Sequence, residues 1–279
     1  MKKTPSTPKL TKFPRSRRAL AIPLTFLILF VSTLGLISIT YFFAVQKVSA
    51  ESQTLRIATA KQDLLDLDQS VMSVVWQPGS ARIVEISDSG GKINIQPLTG
   101  SLTISVSDKQ DLSQTVYNQT TGQVVYELPY SDSPDTGLFL RGDSRTISNQ
   151  SGSPSTQLCI ENGVEHPEIQ LRYRPVLSYI VAGTEEGKIV NNLRIYVINM
   201  NKSDVVALFG KIPLRISCES TQITTSTYTV PYSIDALSIT SVMNGISGQT
   251  VIPISSTTEG AIINVEIVQS NIKIERSLM

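Results

Sequence analysis

The sequence predicts an α+β protein: a long N-terminal helix, transmembrane and then amphipathic, followed by antiparallel β-sandwich-type domain structure. Three observations carry this. No charged residue occurs from Ala19 to Gln46. Apolar residues then recur at helical spacing as far as Trp76. From Ala81 the period changes to two, with apolar and polar residues alternating between clusters of Gly, Ser, Asp and Thr.

Residues 1–19 are a basic leader. Lys2, Lys3, Lys9, Lys12, Arg15, Arg17 and Arg18 all precede the apolar run, and the first acid is Glu51. Such a bias keeps the amino end in the cytoplasm and sends the rest of the chain outside. Residues 20–46 form the transmembrane segment. Leu20 to Val45 is about 26 residues, or about 39 Å of helix, against a hydrocarbon core of about 30 Å. Tyr41, Phe42 and Phe43 fall where an outer aromatic belt would lie, and Pro23 sits near the start, where a missing N–H does least harm. A signal peptide cut after Val48-Ser49-Ala50 is the competing reading, although the apolar run is longer than the usual h-region of about 7–15 residues.

Residues 47–76 are read as an amphipathic extension of the same helix. Ile57, Ala60, Leu64, Leu67, Val71 and Val74 make one apolar stripe, with Lys61, Asp63, Asp66, Asp68 and Gln69 assigned to the solvated faces. Trp76-Gln77-Pro78-Gly79 supplies the stop. Residues 77–141 are read as an N-terminal β-meander, with strands near Ile83, Lys92–Gln96 and Leu102–Val106 joined by hairpins at Ser87–Gly91 and Leu98–Ser101. Residues 142–154 close a Ser/Asp/Pro/Gly-rich linker that begins at Ser131, and residues 155–279 form a second β-rich module. Its strand candidates are Ile169–Val181, Asn192–Ile198, Thr227–Val230 and a C-terminal pair, Ala261–Val268 and Ile272–Glu275. A single interrupted sandwich is the alternative to two modules.

Charge divides by location. Beyond residue 50 the chain holds 16 Lys/Arg against 23 Asp/Glu, a balance of −7 hidden beneath an overall +1. An acidic exterior excludes nucleic acid as a partner, because phosphate contacts need clustered Lys and Arg. Cys159 and Cys218 are the only cysteines. Both fall on the extracytoplasmic side, so a disulfide between them is the expectation, with two buried free thiols as the alternative. Asn118-Gln119-Thr120, Asn149-Gln150-Ser151 and Asn201-Lys202-Ser203 are candidate glycosylation triplets.

Catalytic signatures are missing. The chain has one histidine, His166, and none of the zinc-protease, serine-hydrolase, Walker or dinucleotide motifs. It is therefore read as a non-enzyme with no cofactor and no metal. Glu161, Glu165, His166 and Glu168 cluster, but as solvated loop charges; Asp132 and Asp135 around Ser133-Pro134 make a turn rather than a calcium loop, which needs alternating ligands and a distal Glu. Arg141-Gly142-Asp143 spells an adhesion tripeptide, which loop glycine preference already accounts for.

A basic leader ending Arg18-Ala19, an immediate apolar helix, an amphipathic extension and then β-structure resemble archaeal type IV pilin-like surface proteins. Ala58 to Val75, Ala81-Arg82-Ile83-Val84-Glu85 and the Gly91–Val106 stretch are also similar to uncharacterised archaeal relatives of pilins. The resemblance covers roughly the first 110 residues. It implies a prepilin peptidase as partner, cutting between Ala19 and Leu20 with Arg18 as the basic residue before the junction. It also implies a mature helix that leaves the bilayer to pack with its own or other pilin-like subunits in a surface filament. Leu24 stands where bacterial pilins carry a glutamate five residues into the mature chain, and the chain's size suits a minor rather than a major subunit. Ser32, Gly35 and Ser38 would allow close helix approach. The non-polymerising reading is a single-pass sensor or adhesin held in the lipid bilayer.

Overall fold

A computed structural model describes residues 18–108, 110–129, 136–149 and 155–277. The chain divides into two units, Met1–Ser52 and Gln53–Met279. Helix α1 (Arg18–Val74) carries residues of both; the leader before it lies outside the described residues. Fourteen strands follow among the described residues: β1 (Ala81–Ile86), β2 (Lys92–Ser107), β3 (Ser113–Glu127), β4 (Phe139–Arg141), β5 (Ser148–Asn149), β6 (Thr156–Asn162), β7 (Pro167–Tyr173), β8 (Val176–Glu185), β9 (Lys188–Asn199), β10 (Val206–Phe209), β11 (Ile212–Val230), β12 (Ala236–Met243), β13 (Ile246–Pro253) and β14 (Ala261–Arg276).

The strands make two mostly antiparallel sheets. One has the order β1-β11-β14-β9-β8-β5; the other runs β13-β12-β2-β3-β7-β6-β4, with β10 beside the first half of β2. The pairings β14–β9 and β5–β8 are parallel. The modules 77–141 and 155–279 are thus not separate: β1 pairs with β11, β3 with β7 and β2 with β12. Local pattern misplaced three connections. Ser87–Gly91 is not a hairpin, because β1 and β2 belong to different sheets. Leu98–Ser101 is an irregularity inside the continuous β2, whose register with β3 shifts between Gln96 and Gly100. The expected C-terminal pair is the single strand β14. Within the expected 131–154 linker, the described stretch contributes β4 and β5, two short edge strands.

Two apolar cores exist, and the long strands serve both. In β14 the odd residues Ala261, Ile263, Val265 and Ile267 enter one core, whereas Ile272 and Ile274 enter the other. Successive side chains of a strand point to opposite faces, so β14 turns one face to each core. The same switch of parity occurs in β9, between Val197 and Ile198, and in β2, between Ile93/Ile95 and Leu102/Ile104. β11 changes face without changing parity, Ile212 to Cys218 entering one core and Val230 the other, through a bulge between Cys218 and Ser220, a device that adds one residue to one side of a ladder.

Helix α1 enters the first core only. Ala60, Leu64, Leu67, Val71 and Val74 from the predicted stripe are buried there with Val75, among Ile212, Leu214, Ile216, Ile272 and Ile274 of one sheet and Ile93, Val124, Leu158 and Leu171 of the other. The helix stops where Pro78 and Gly79 require it. Ser80 Oγ donates to the carbonyl of Val74 (3.1 Å), the last residue of the helix, and to that of Gln77 (2.6 Å) in the turn beyond it. Trp76 stacks edge-on against Tyr196 with centroids 5.4 Å apart.

As the only tryptophan, Trp76 reports on this region by itself. Leu67→Ala should destabilise the β-rich unit by about 2–5 kcal/mol, the range for deleting a fully buried leucine. Trp76 fluorescence during urea unfolding checks it, and an unchanged midpoint would exclude the helix from the core.

Candidate functional site

Every described side chain of α1 from Pro23 to Ser52 is exposed. Phe26 is 72 % and Tyr41 70 % exposed, and the intervening residues include Leu27, Ile28, Leu29, Phe30, Val31, Leu34, Leu36 and Ile37. The polar side chains in this run are answered by the helix itself. Ser32 Oγ donates to Leu29 O (2.9 Å), Thr33 Oγ1 to Leu29 O (2.7 Å) and Thr40 Oγ1 to Leu36 O (2.8 Å). Such back-bonding satisfies hydroxyls that would be costly in hydrocarbon. Gly35 has open space where a Cβ would stand. Charge returns only with Lys47 and Glu51, four residues and 4.0 Å apart. Arg18, Ala19 and Leu20, the expected processing residues, form the first described turn of the helix.

The second half of the helix is fixed by a carboxylate that the sequence assigned to solvent. Asp68 is fully buried. It accepts from Arg141 Nη1 at 2.5 Å, Thr156 Oγ1 at 2.8 Å and Tyr173 hydroxyl at 3.0 Å. These donors come from β4, β6 and β7, so one charge ties the helix to three strands. Burial pushes the Tyr173 hydroxyl well above its usual range, and the Asp68 charge beside it adds to the rise. Asp63 is buried as well, accepting from the backbone N–H of Ser87 (2.8 Å) and its hydroxyl (3.2 Å). Its carboxyl lies above the usual aspartate value because burial outweighs those hydrogen bonds. Spacing held the signal: Asp68 is four residues after Leu64 and three before Val71, and Asp63 three after Ala60 and four before Leu67, so both sit on the apolar stripe.

The Arg141-Gly142-Asp143 tripeptide is consumed within the fold. Arg141 serves Asp68. Asp143 accepts from Arg145 through its Nε (3.0 Å), Nη2 (2.7 Å) and backbone N–H (3.0 Å), and from Arg174 Nη1. These hydrogen bonds, Arg145 first and Arg174 next, hold the Asp143 carboxyl far below the usual carboxylate range. Arg174 is fully buried and also donates to Arg145 O at 2.9 Å, while Gln157 Nε2 spans the carbonyls of Asp143 and Arg145, both at 2.8 Å. Gly142 has φ +82°, and a Cβ on it would come within 2.1 Å of Thr156 O; the close pass over β6, not adhesion, accounts for the glycine.

The cysteines do not make the expected bridge. Both are free and buried, Cys159 in β6 and Cys218 in β11, on different sheets. Cys159 Sγ donates to Glu161 Oε1 at 3.2 Å, and burial followed by that carboxylate pushes its thiol up to about 12. Cys218 Sγ donates to Val75 O at 3.3 Å, the carbonyl that also accepts from Ser270 Oγ. The two sheets thereby hold separate thiols, one of which helps close the helix end.

Of the remaining candidates, Glu161 is paired with Arg172 (3.3 Å), and no group of three His, Cys, Asp or Glu stands close enough for a metal ion among the described residues. Asp132 and Asp135 lie outside the described residues. Asn118 and Asn149 are exposed on β3 and β5, the rest of the second triplet lying outside the described residues. Asn201 is half-buried, and Ser203 of its triplet is buried and accepts from Ile274 N–H at 3.0 Å. A groove of about 400 Å3 runs between Asp66 and Gln69 of α1 and Arg82–Glu85 of β1. Comparison with known proteins finds no matching family model, curated protein or solved structure.

Asp68→Ala strands the hydroxyls of Thr156 and Tyr173 and should cost about 3 kcal/mol, the low end for breaking a buried pair, because Arg141 is 41 % exposed and partly screened. Tyr173→Phe keeps the ion pair and should cost only about 1.5–2 kcal/mol, the low end for a hydrogen bond to a charged group. Urea midpoints of Trp76 fluorescence should follow that order, and a reversed order would remove Asp68 from its central place.

A pH dependence follows from Asp143. Its carboxyl is depressed below the ordinary 3.8, so the unfolded chain binds more protons below that value, and the stability Asp143 contributes is lost as pH falls. Asp63, shifted upward, acts in the opposite sense just above 3.8. Thermal midpoints between pH 2 and 7 should drop on the acid side, less steeply in Asp143→Asn; equal slopes in variant and parent would refute the assignment.

Proposed function

We infer that this chain is a membrane-anchored extracytoplasmic structural protein, a pilin-like or minor-pilin subunit that displays a β-rich head for adhesion or assembly. The observation that carries the reading is the contrast within α1. From Pro23 to Ser52 its large apolar side chains are all exposed, whereas from Ala60 to Val75 all but Met72 are built into a protein core or packed against it. An apolar surface of that extent needs a cover that water does not give. A bilayer supplies one for residues 20–46, and neighbouring helices of the same kind supply another. The basic leader supports a cytoplasmic amino end, which assigns the head to the cell surface.

The head fits a load-bearing part. Its titratable groups with the largest shifts, Asp143, Tyr173 and Cys159, are engaged in internal hydrogen bonds. A second reading, a single-pass sensor or adhesin with a ligand-binding β-sandwich that does not polymerise, is favoured by the groove between α1 and β1.

N-terminal mass spectrometry of the native protein tests the first reading. Processing between Ala19 and Leu20, with recovery of the chain in sheared surface filaments, is the expected result. A chain intact from Met1 that stays in the membrane fraction would establish the second.

A further inference from the structure

Two of the three Asn-X-Ser/Thr triplets lie wholly within the described residues, and the fold treats them differently. Such a triplet is the acceptor for an N-linked sugar, and a folded protein tolerates that sugar only where the amide nitrogen reaches solvent. Asn201 does not qualify. It is half-buried in the turn after β9, its Oδ1 is enclosed without a partner, and its backbone N–H donates to Asn199 Oδ1 at 2.9 Å. Ser203, the third residue of that triplet, is 7 % exposed, and its hydroxyl is taken by the Ile274 N–H. Asp204 N–H then donates to Ile274 O at 3.0 Å, so the turn is fastened to β14.

Asn118 is placed the opposite way. It lies within β3, and alternate residues of a strand share a face, so Asn118 and Thr120 stand side by side. Both are exposed. The amide oxygen of Asn118 accepts from Thr103 Oγ1 at 3.3 Å, which leaves Nδ2 as the free end of the amide. Thr103 stands opposite on β2, with Ser101 and Ser105 diagonally across, paired to Thr120 and Thr115. The side chains that border the amide on this face are therefore short, and neither Ser101 to Val106 nor Ser113 to Gln123 contains a charge. On its other side β3 is flanked by β7 only from Val124 to Glu127, so that strand does not crowd Asn118.

We propose that Asn118 is a glycosylation site, and that of these two triplets it is the one that carries an N-linked saccharide. The sugar arrives as a lipid-phosphate-linked oligosaccharide. Nδ2 bonds to its anomeric carbon, the bond from that carbon to the phosphate oxygen breaks, the phosphate leaves with the electron pair, and Nδ2 gives up one proton. Amide and hydroxyl lie on one exposed face, so the acceptor pair is presented in the extended form that β3 keeps. An attached saccharide meets the hydroxyls of Thr103, Ser105 and Thr120 and displaces no core residue, because Tyr117 and Thr121 are buried on the opposite face. The site rests on the extracytoplasmic placement of the head, but not on polymerisation.

The test uses the full chain isolated from its native membrane. Its intact mass should exceed the sequence value by at least one saccharide, and proteolytic peptides should place that saccharide on Asn118 and leave Asn201 bare. Asn118→Gln and Thr120→Val should each lower the intact mass by the same saccharide, Thr120→Ser should retain it, and Asn201→Gln should change nothing. A cooperative Trp76 unfolding transition in Asn118→Gln separates loss of the sugar from loss of the fold, and the peptide map of the unmutated chain needs no variant. An Asn118 peptide at its bare sequence mass, or a saccharide on Asn201, would overturn the proposal. Protease added to whole cells keeps the two readings apart: a digested head with bare Asn118 refutes the glycosylation alone, whereas a protected head with bare Asn118 refutes the placement as well.

Discussion

A buried charge in the path of an apolar stripe governs how this molecule is put together. Ala60, Leu64, Leu67, Val71 and Val74 would be satisfied by many rotations and axial positions of α1 within the first core, since apolar contact is non-directional. Asp68 removes that freedom. A carboxylate in a protein interior is expensive unless it is paired and fully hydrogen-bonded, and only one placement brings it to Arg141, Thr156 and Tyr173 together. The three donors sit on β4, β6 and β7, so the requirement passes from the helix to the edge of the eight-stranded sheet.

A second set of constraints follows from the first. Arg141 reaches Asp68 from a strand of three residues, which has little ladder to hold it. What holds the chain beyond it is the Asp143 cluster, where Arg145 and the buried Arg174 share one carboxylate and Gln157 clamps two carbonyls. Arg174 is followed by Pro175, and here the chain crosses from β7 in one sheet to β8 in the other. The buried guanidinium therefore sits at the crossover, where ladder hydrogen bonds are interrupted and other donors must take over.

The sequence revealed whatever depended on local spacing. The long apolar helical run, the stripe from Ile57 to Val74, the stop at Pro78-Gly79 and the period-two segments of β2, β9 and β14 are all set by neighbours within a few residues. Partners were illegible. Ser87–Gly91 carries every residue of a hairpin turn, yet β1 pairs with Val84↔Leu214 and its neighbours, more than a hundred residues away. Leu98–Ser101 looks like a turn, but Gly100 serves a close approach, its missing Cβ making room for Asn244 and Thr121. Two cores were anticipated as two contiguous modules, whereas a strand that changes face partway serves both, and alternation alone does not announce the change. Asp63 and Asp68 were legible and were misread by residue type. Position on the stripe was the better guide than polarity.

The sharing of strands between cores bears on mechanical behaviour. If β11 and β14 served one core each, the two halves of the head could open independently. As built, Ala261–Ile267 and Ile272–Ile274 lie on the one strand β14, which pairs with β11 on both sides of the Cys218/Ser220 bulge and with β9 as far as Asn271, so separating either core shears strands that hold the other. The helix is tied into the same strands at its end, where the Val75 carbonyl accepts from Cys218 of β11 and Ser270 of β14. A pull entering the head through α1 at Gln53 meets, in order, the Asp63–Ser87 bonds, the Asp68 cluster and then the Val75 carbonyl. Those attachments reach different partners, the segment after β1, the edge strands of one sheet and the central strands of the other, so the second half of α1 is bound to both sheets along its length.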